Sequence, residues 1–112
     1  MDIAVEQLPA GISKIALHGR LDTTWAVTTE LPFNKVATEK RRIIVDISGA
    51  TFLSSYGIRI FLVAAKIADS KGGKLVILCP EGNVAKVLKT AGTQTLIPVF
   101  PTEAAAAAAL KS

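Results

Sequence analysis

Two stretches decide the fold: Arg42-Ile43-Ile44-Val45-Asp46-Ile47 and Lys74-Leu75-Val76-Ile77-Leu78-Cys79. Each is a short apolar run with little alternation, the pattern of a strand covered on both faces. Between them, residues 55 to 70 carry apolar side chains at helical spacing and stop at the turn signal Lys71-Gly72-Gly73. Strand, helix, strand in that order predicts two parallel strands joined by a right-handed crossover.

Toward the N-terminus, residues 3 to 8 alternate loosely, with Ile3, Val5 and Leu8 expected inward. Pro9-Ala10-Gly11 makes a turn, and residues 12 to 18 resume with Ile15 and Leu17 on one face, completing a hairpin. Asp22 or Thr23 can cap a helix running toward residue 39. Pro32 inside that segment predicts a break or kink, because proline lacks the N–H and its ring meets the preceding turn. Toward the C-terminus, Val84, Val87, Leu88 and Ala91 share one face of a third helix that Gly92 can end. Residues 96 to 100 read as a last strand, at an edge because of Pro98. Thr102 then caps a helix over Glu103 and six alanines, residues 104 to 109. The order ββαβαβαβα predicts a single α/β domain over residues 1 to 112, a mixed, mostly parallel sheet packed with about four helices.

Composition narrows the function. Half of the 112 residues are hydrophobic and 20% are charged, enough apolar surface for a core without disulfides or a structural metal. The net charge is +4, with one basic cluster at Lys35, Lys40, Arg41 and Arg42 and another at Lys86 and Lys89. Trp25, Phe33, Phe52, Tyr56, Phe61 and Phe100 are scattered, so a basic groove with stacking platforms is missing and no direct nucleic-acid partner is expected. Cys79 stands alone, the first residues lack a signal-peptide pattern, and no apolar run reaches the ~20 residues of a membrane span. The expectation is a cytoplasmic chain without membrane insertion.

Catalytic groups are scarce. His18 is the single histidine, no Gly-x-Ser-x-Gly elbow surrounds Ser55, and no metal-ligand spacing or Walker loop is present. Asp22 and Asp46 could be drawn as paired carboxylates, but Asp46 is better placed to hydrogen-bond the loop that follows it. No enzyme activity, catalytic residue, cofactor or metal is expected.

The segment Phe52-Leu53-Ser54-Ser55-Tyr56-Gly57-Ile58-Arg59 joins a buried strand to the longest helix. A hydroxyl there lies at a helix N-terminus, where unpaired N–H groups favour negative charge. A phosphate would be accommodated locally and would change the surface charge by nearly two units; an ordinary N-cap is the competing reading. In the helix, Ile58, Phe61, Leu62, Ala65 and Ala68 form one apolar face, and Ile60, Val63, Ala64 and Ile67 a second. So narrow a polar stripe means either burial on most sides or apolar area kept exposed for a partner, and the partner is the expectation here.

Three segments resemble the STAS domain, and more narrowly the bacterial anti-sigma factor antagonists: residues 18 to 22 (His-Gly-Arg-Leu-Asp), residues 44 to 59, and Gly72-Gly73-Lys74-Leu75. The similarity continues through residues 84 to 92, so it covers nearly the whole chain. Its specific part is Val45-Asp46-Ile47-Ser48 followed by Ser54-Ser55-Tyr56-Gly57-Ile58-Arg59. The resemblance implies a binding switch. An unphosphorylated serine, here Ser55 with Ser54 as second choice, would bind a serine kinase that is also the anti-sigma factor. Phosphorylation would release it, and a serine phosphatase would restore the cycle. Asp22, Ser54, Tyr56, Gly57, Ile58, Arg59, Phe61 and Leu62 are the implied partner-binding residues. Many relatives carry aspartate where this chain has Ser54, and a small residue where it has Tyr56. The rival reading within the family is a constitutive subunit of a lipid-transport ATPase or stress-sensing complex, with no kinase cycle.

Overall fold

The structure is a computed structural model, which describes residues 4 to 80 and 82 to 111, without the side chain of Gln94. The strands are β1 (Ala4–Leu8), β2 (Ile12–Leu21), β3 (Arg42–Leu53), β4 (Lys74–Leu78) and β5 (Val99–Phe100). The helices are α1 (Thr23–Glu39), α2 (Ser55–Ser70), α3 (Asn83–Thr90) and α4 (Glu103–Lys111). The sheet order is β1-β2-β3-β4-β5, with β1 antiparallel to β2 and every other pair parallel. This is the expected single mixed α/β sheet.

Alternation along the central strands sorts the core into two layers. Ile15, Leu17, Ile43, Val45, Ile47, Leu75 and Ile77 face one way and meet the buried faces of α1, α2 and α3. Ile12, Ile44, Val76 and Leu78 face the other way and meet Ala106 and Leu110 of α4. The caps read from the sequence are present: Asp22 for α1, and Thr102, whose hydroxyl accepts from the Ala105 N–H at 3.2 Å, for α4. Gly92 takes the left-handed φ of 72° that ends α3.

Several expectations need correction. The α1 helix runs through Pro32 without a break. Trp25, Ala26 and Thr29 before the proline and Phe33 and Ala37 after it bury one continuous face. That burial outweighs the ~3 kcal/mol an internal proline costs. Val5 is exposed, because β1 is an edge strand beyond the cover of the helices; Ile3 lies outside the described residues. On α3 only Val84 and Leu88 are buried, and Val87 and Ala91 face solvent. The last strand shrinks to two residues, since a 3-10 turn at Thr93–Thr95 precedes it and leaves Leu96 exposed. Finally, β3 continues six residues past Ile47, pairing with the end of β2 through two register shifts. That extension carries the chain to the segment of interest.

Candidate functional site

The ends of β2 and β3 lie paired at Leu21 and Leu53, and each strand leads directly into a helix. Asp22 caps α1 through its carboxylate, which accepts from the Trp25 N–H at 3.0 Å. Ser54 caps α2 through its hydroxyl, which accepts from the Gly57 N–H at 3.1 Å. The Ser54 N–H donates to the Leu21 carbonyl at 2.9 Å, which ties the two helix starts together. A side chain at Gly57 would crowd its neighbours. A Cβ there would lie 2.9 Å from Leu53 Cδ1 and 3.3 Å from the Leu21 carbonyl oxygen.

Ser55 is the first residue of α2, and its side chain is exposed. The next residue, Tyr56, is half-buried and donates its hydroxyl proton to Glu30 of α1 at 3.2 Å. Arg59 is exposed one turn further along α2, on the face that Ser55 shares at i,i+4 spacing. On the strand side, the Arg20 guanidinium sits 4.5 Å from the centre of the Phe52 ring, and Arg20 Nε lies 3.9 Å from Asp22 Oδ2. The N-terminus of α2 and the exposed Arg59 thus lie on the side of Ser55, and a helix N-terminus favours an anion.

A model of the STAS domain matches residues 4–106. The chain belongs to the STAS domain family. A protein named as a candidate anti-sigma factor antagonist, BtrV of Bordetella bronchiseptica, is 33% identical over 73 residues, which is 65% of this chain and 63% of that protein. The match therefore spans less than two thirds of that curated relative. An anti-sigma factor antagonist from Mycobacterium paratuberculosis superposes with a TM-score of 0.89 at 20% identity, over 99% of this chain and 94% of that one. The anti-sigma factor antagonist SpoIIAA, in its unphosphorylated form, superposes with a TM-score of 0.77 at 20% identity, covering 98% and 96%. Its phosphorylated form, described as a Bacillus cell fate determinant, gives 0.68 at 19% identity, covering 93% and 96%. At these identities the solved structures establish a shared fold.

Within the STAS domain, the residues expected to meet a partner separate into two groups. Asp22, Ser54, Ser55, Tyr56 and Arg59 reach the surface at one end of the sheet. Gly57, Ile58 and Phe61 lie in the core and cannot form an outer face, and Leu62 is half-buried. The expected exposed apolar face of α2 is absent, because α1 lies along it: the Phe61 ring packs 5.7 Å from Phe33 and 6.3 Å, edge-on, from Trp25. Burial on most sides, the alternative left open by the sequence, is the observed state.

The exposed apolar residues near this end come from elsewhere. Phe52 of β3 is 40% exposed, and Val27 and Leu31 of α1 are 61% and 80% exposed. Val27 lies one turn before Glu30, the residue that Tyr56 holds. In the sequence, Phe52 and Arg20 fall within the quoted segments without a role of their own, and Val27 and Leu31 are not singled out. The available signal was the i,i+4 pair Val27 and Leu31, off the Trp25–Thr29–Phe33 face. His18 lies exposed on β2 beside Gly49, where a Cβ would fall 2.2 Å from its Nδ1. Asp46 accepts from the Ser48 N–H at 2.9 Å and from its hydroxyl at 2.5 Å, binding the irregular part of β3 as expected. Among the described residues no helix is long and apolar enough to cross a membrane.

Proposed function

We propose that the chain is an anti-sigma factor antagonist that switches partners through phosphorylation of Ser55. One observation carries the reading: of two adjacent serines, Ser54 has its hydroxyl engaged in the helix cap, whereas Ser55 is exposed at the first helical position. The unphosphorylated end binds a serine kinase that is also the anti-sigma factor, and a serine phosphatase restores that form. The docking surface comprises Ser55, Tyr56 and Arg59, the stacked pair Arg20 and Phe52, and the exposed Val27 and Leu31 of α1. The kinship with BtrV supports the same reading.

The physical logic lies in the contrast between the free and bound states. In the free protein, a phosphate on Ser55 meets the α2 N-terminus and can reach Arg59, so it leaves the fold intact. In a complex, the same two charges must be desolvated against apolar contacts such as Phe52 and Val27, which drives release. The chain acts by binding and performs no catalysis of its own.

The test is intact-mass analysis of the protein from its native cells, with peptide mapping of residues 43 to 59. A single phosphate on Ser55 is expected, and Ser55→Ala should abolish it and hold the kinase-bound state. Phosphate incorporation at the parent level in Ser55→Ala would overturn the assignment. A chain unmodified under every growth condition would favour the constitutive subunit.

A further inference from the structure

The basic residues Arg41 and Arg42 stand where β3 begins, at the end of that strand opposite Ser55. A hollow of about 390 Å³ opens there, lined by Arg41, Arg42, Lys74, Ala10, the glycines of the turn before β4, and Leu110 of α4. Arg42 and Lys74 are direct partners in the register of β3 and β4. Ile44 and Val76, two residues further along each strand, face α4. By alternation Arg42 and Lys74 therefore lie side by side on that same face. Like charges directly opposite each other in a sheet repel and cost stability.

No described residue neutralises this pair. Among the described residues no carboxylate lines the hollow, and Arg41, Arg42 and Lys74 form no ion pair. Lys14, which partners Ile44 in the neighbouring register of the same face, instead meets three carboxylates, Glu6, Asp46 and Glu103. Arg42 is also held in place, because its Nη1 donates to the Ala10 carbonyl at 2.7 Å. That bond fixes the guanidinium at the hollow while leaving its charge intact and its other N–H donors available. Ala10 presents the carbonyl from a left-handed φ of 67°, a costly conformation for a residue with a side chain. The two helix ends carry cations of their own, Lys71 at the C-cap of α2 and Lys111 in the last turn of α4, so Arg42 and Lys74 are not needed there.

We infer that this hollow binds a phosphate group carried by a small molecule, its oxygens bridging Arg42 and Lys74. Neighbouring strands lie about 4.8 Å apart, so one tetrahedral oxyanion can accept from both side chains at once. The guanidinium can hold it through two parallel N–H donors. Charge selects phosphate over carboxylate: a phosphate monoester carries nearly two negative charges at neutral pH and matches two unneutralised cations. The volume lies within the roughly 300–1,000 Å³ of small-molecule sites. Binding removes the repulsion that the free protein carries, and the site stands apart from Ser55 and its switch.

The experiment is isothermal titration of the full chain with inorganic phosphate and phenyl phosphate, set beside acetate at the same ionic strength. Both phosphates are expected to bind one to one and at least about tenfold more tightly than acetate. Lys74→Gln, at an exposed side chain, and Arg42→Gln should each weaken binding by about tenfold or more. Lys86→Gln makes the same charge change beside a different hollow and should leave binding at the parent level. Circular dichroism confirms that each variant is folded. In thermal melts, added phosphate should raise the Tm of the parent and leave that of Lys74→Gln in place. Absence of phosphate binding, binding unchanged in both hollow variants, or an equal loss in Lys86→Gln would overturn the inference. A glutamate-rich peptide that binds through Lys74 where phosphate does not would assign the cations to an acidic protein surface and refute the phosphate site. Ser55→Ala should bind phosphate like the parent, which separates this site from the switch.

Discussion

One face of the sheet carries α1, α2 and α3 around Trp25, Phe33 and Phe61, whereas the other carries α4, a nine-residue helix with six alanines. The first layer is deep: three large aromatic rings and the aliphatic side chains of three strands interlock there. The second is shallow, with Ala106 and Leu110 as the buried residues of the helix. A polar clamp reinforces it. The Lys14 ammonium, on β2, donates to Glu103 of α4 at 2.8 Å and lies 3.6 Å from Glu6 and 3.9 Å from Asp46. The difference shows what the proposed switch requires. Asp22 and Ser54 start helices that are locked into the deep layer, so Ser55 is presented on a rigid support. The shallow layer closes the opposite side of the sheet.

The comparison can be broken most severely at Phe61. Phe61→Ala should cost about 3–5 kcal/mol by emptying the junction of α1, α2 and the sheet; urea denaturation measures it. A loss below about 1 kcal/mol would mean that the deep layer repacks freely. Leu110→Ala should cost less, about 2 kcal/mol, because the alanine-rich α4 can settle onto a smaller side chain. Hydrogen exchange should show that loss concentrated in α4, with the amides of α2 still protected; uniform loss would join the two layers into one cooperative unit.

Smaller effects sharpen the contrast. Ser54→Ala removes the cap of α2 and should lower stability by about 1 kcal/mol while Ser55 remains available for phosphorylation. Simultaneous loss of phosphate from the 43 to 59 peptide would show that the two serines do not have separate roles. The smallest effect belongs to the clamp. The hydrogen bond to Glu103 chiefly, with the charges of Glu103, Glu6 and Asp46, holds the Lys14 pKa above its ordinary 10.5, against the opposing pull of burial. A raised folded-state pKa stabilises fully below the unfolded value and is lost as pH rises through the folded one. Stability should therefore decline above about pH 10.5 through this group, and Glu103→Gln should flatten that decline while costing a few tenths of a kcal/mol to about 1 kcal/mol at neutral pH. Thermal melts across pH 7 to 11.5, about one unit past the ordinary value, would check it. An unchanged slope in Glu103→Gln would remove the clamp from the account.

Local sequence chemistry set the element order, the parallel crossover unit around residues 42 to 79, a cap for α1 at Asp22 or Thr23 and one for α4 at Thr102, and the serine pair at the start of α2. All of these follow from local chemistry: apolar periodicity, the helix-capping preference of short polar side chains, and glycine or proline at turns. Tertiary structure decided which of those local preferences gave way. Pro32 stays inside a helix because Trp25 and Phe33 are buried on both sides of it. The apolar faces of α2 are largely spent on α1 and the sheet, and the exposed large apolar side chains lie on other elements, at Val5, Val27, Leu31, Phe52, Val87 and Leu96. Composition could count the apolar residues of α2 but not locate what covers them, because α1 reaches α2 only after the chain has folded back across β3. The difference between the capping hydroxyl of Ser54 and the exposed Ser55 has the same origin. Both are exposed-type residues in sequence, and the Leu21 carbonyl, 33 positions upstream of Ser54, fixes which of them starts the helix.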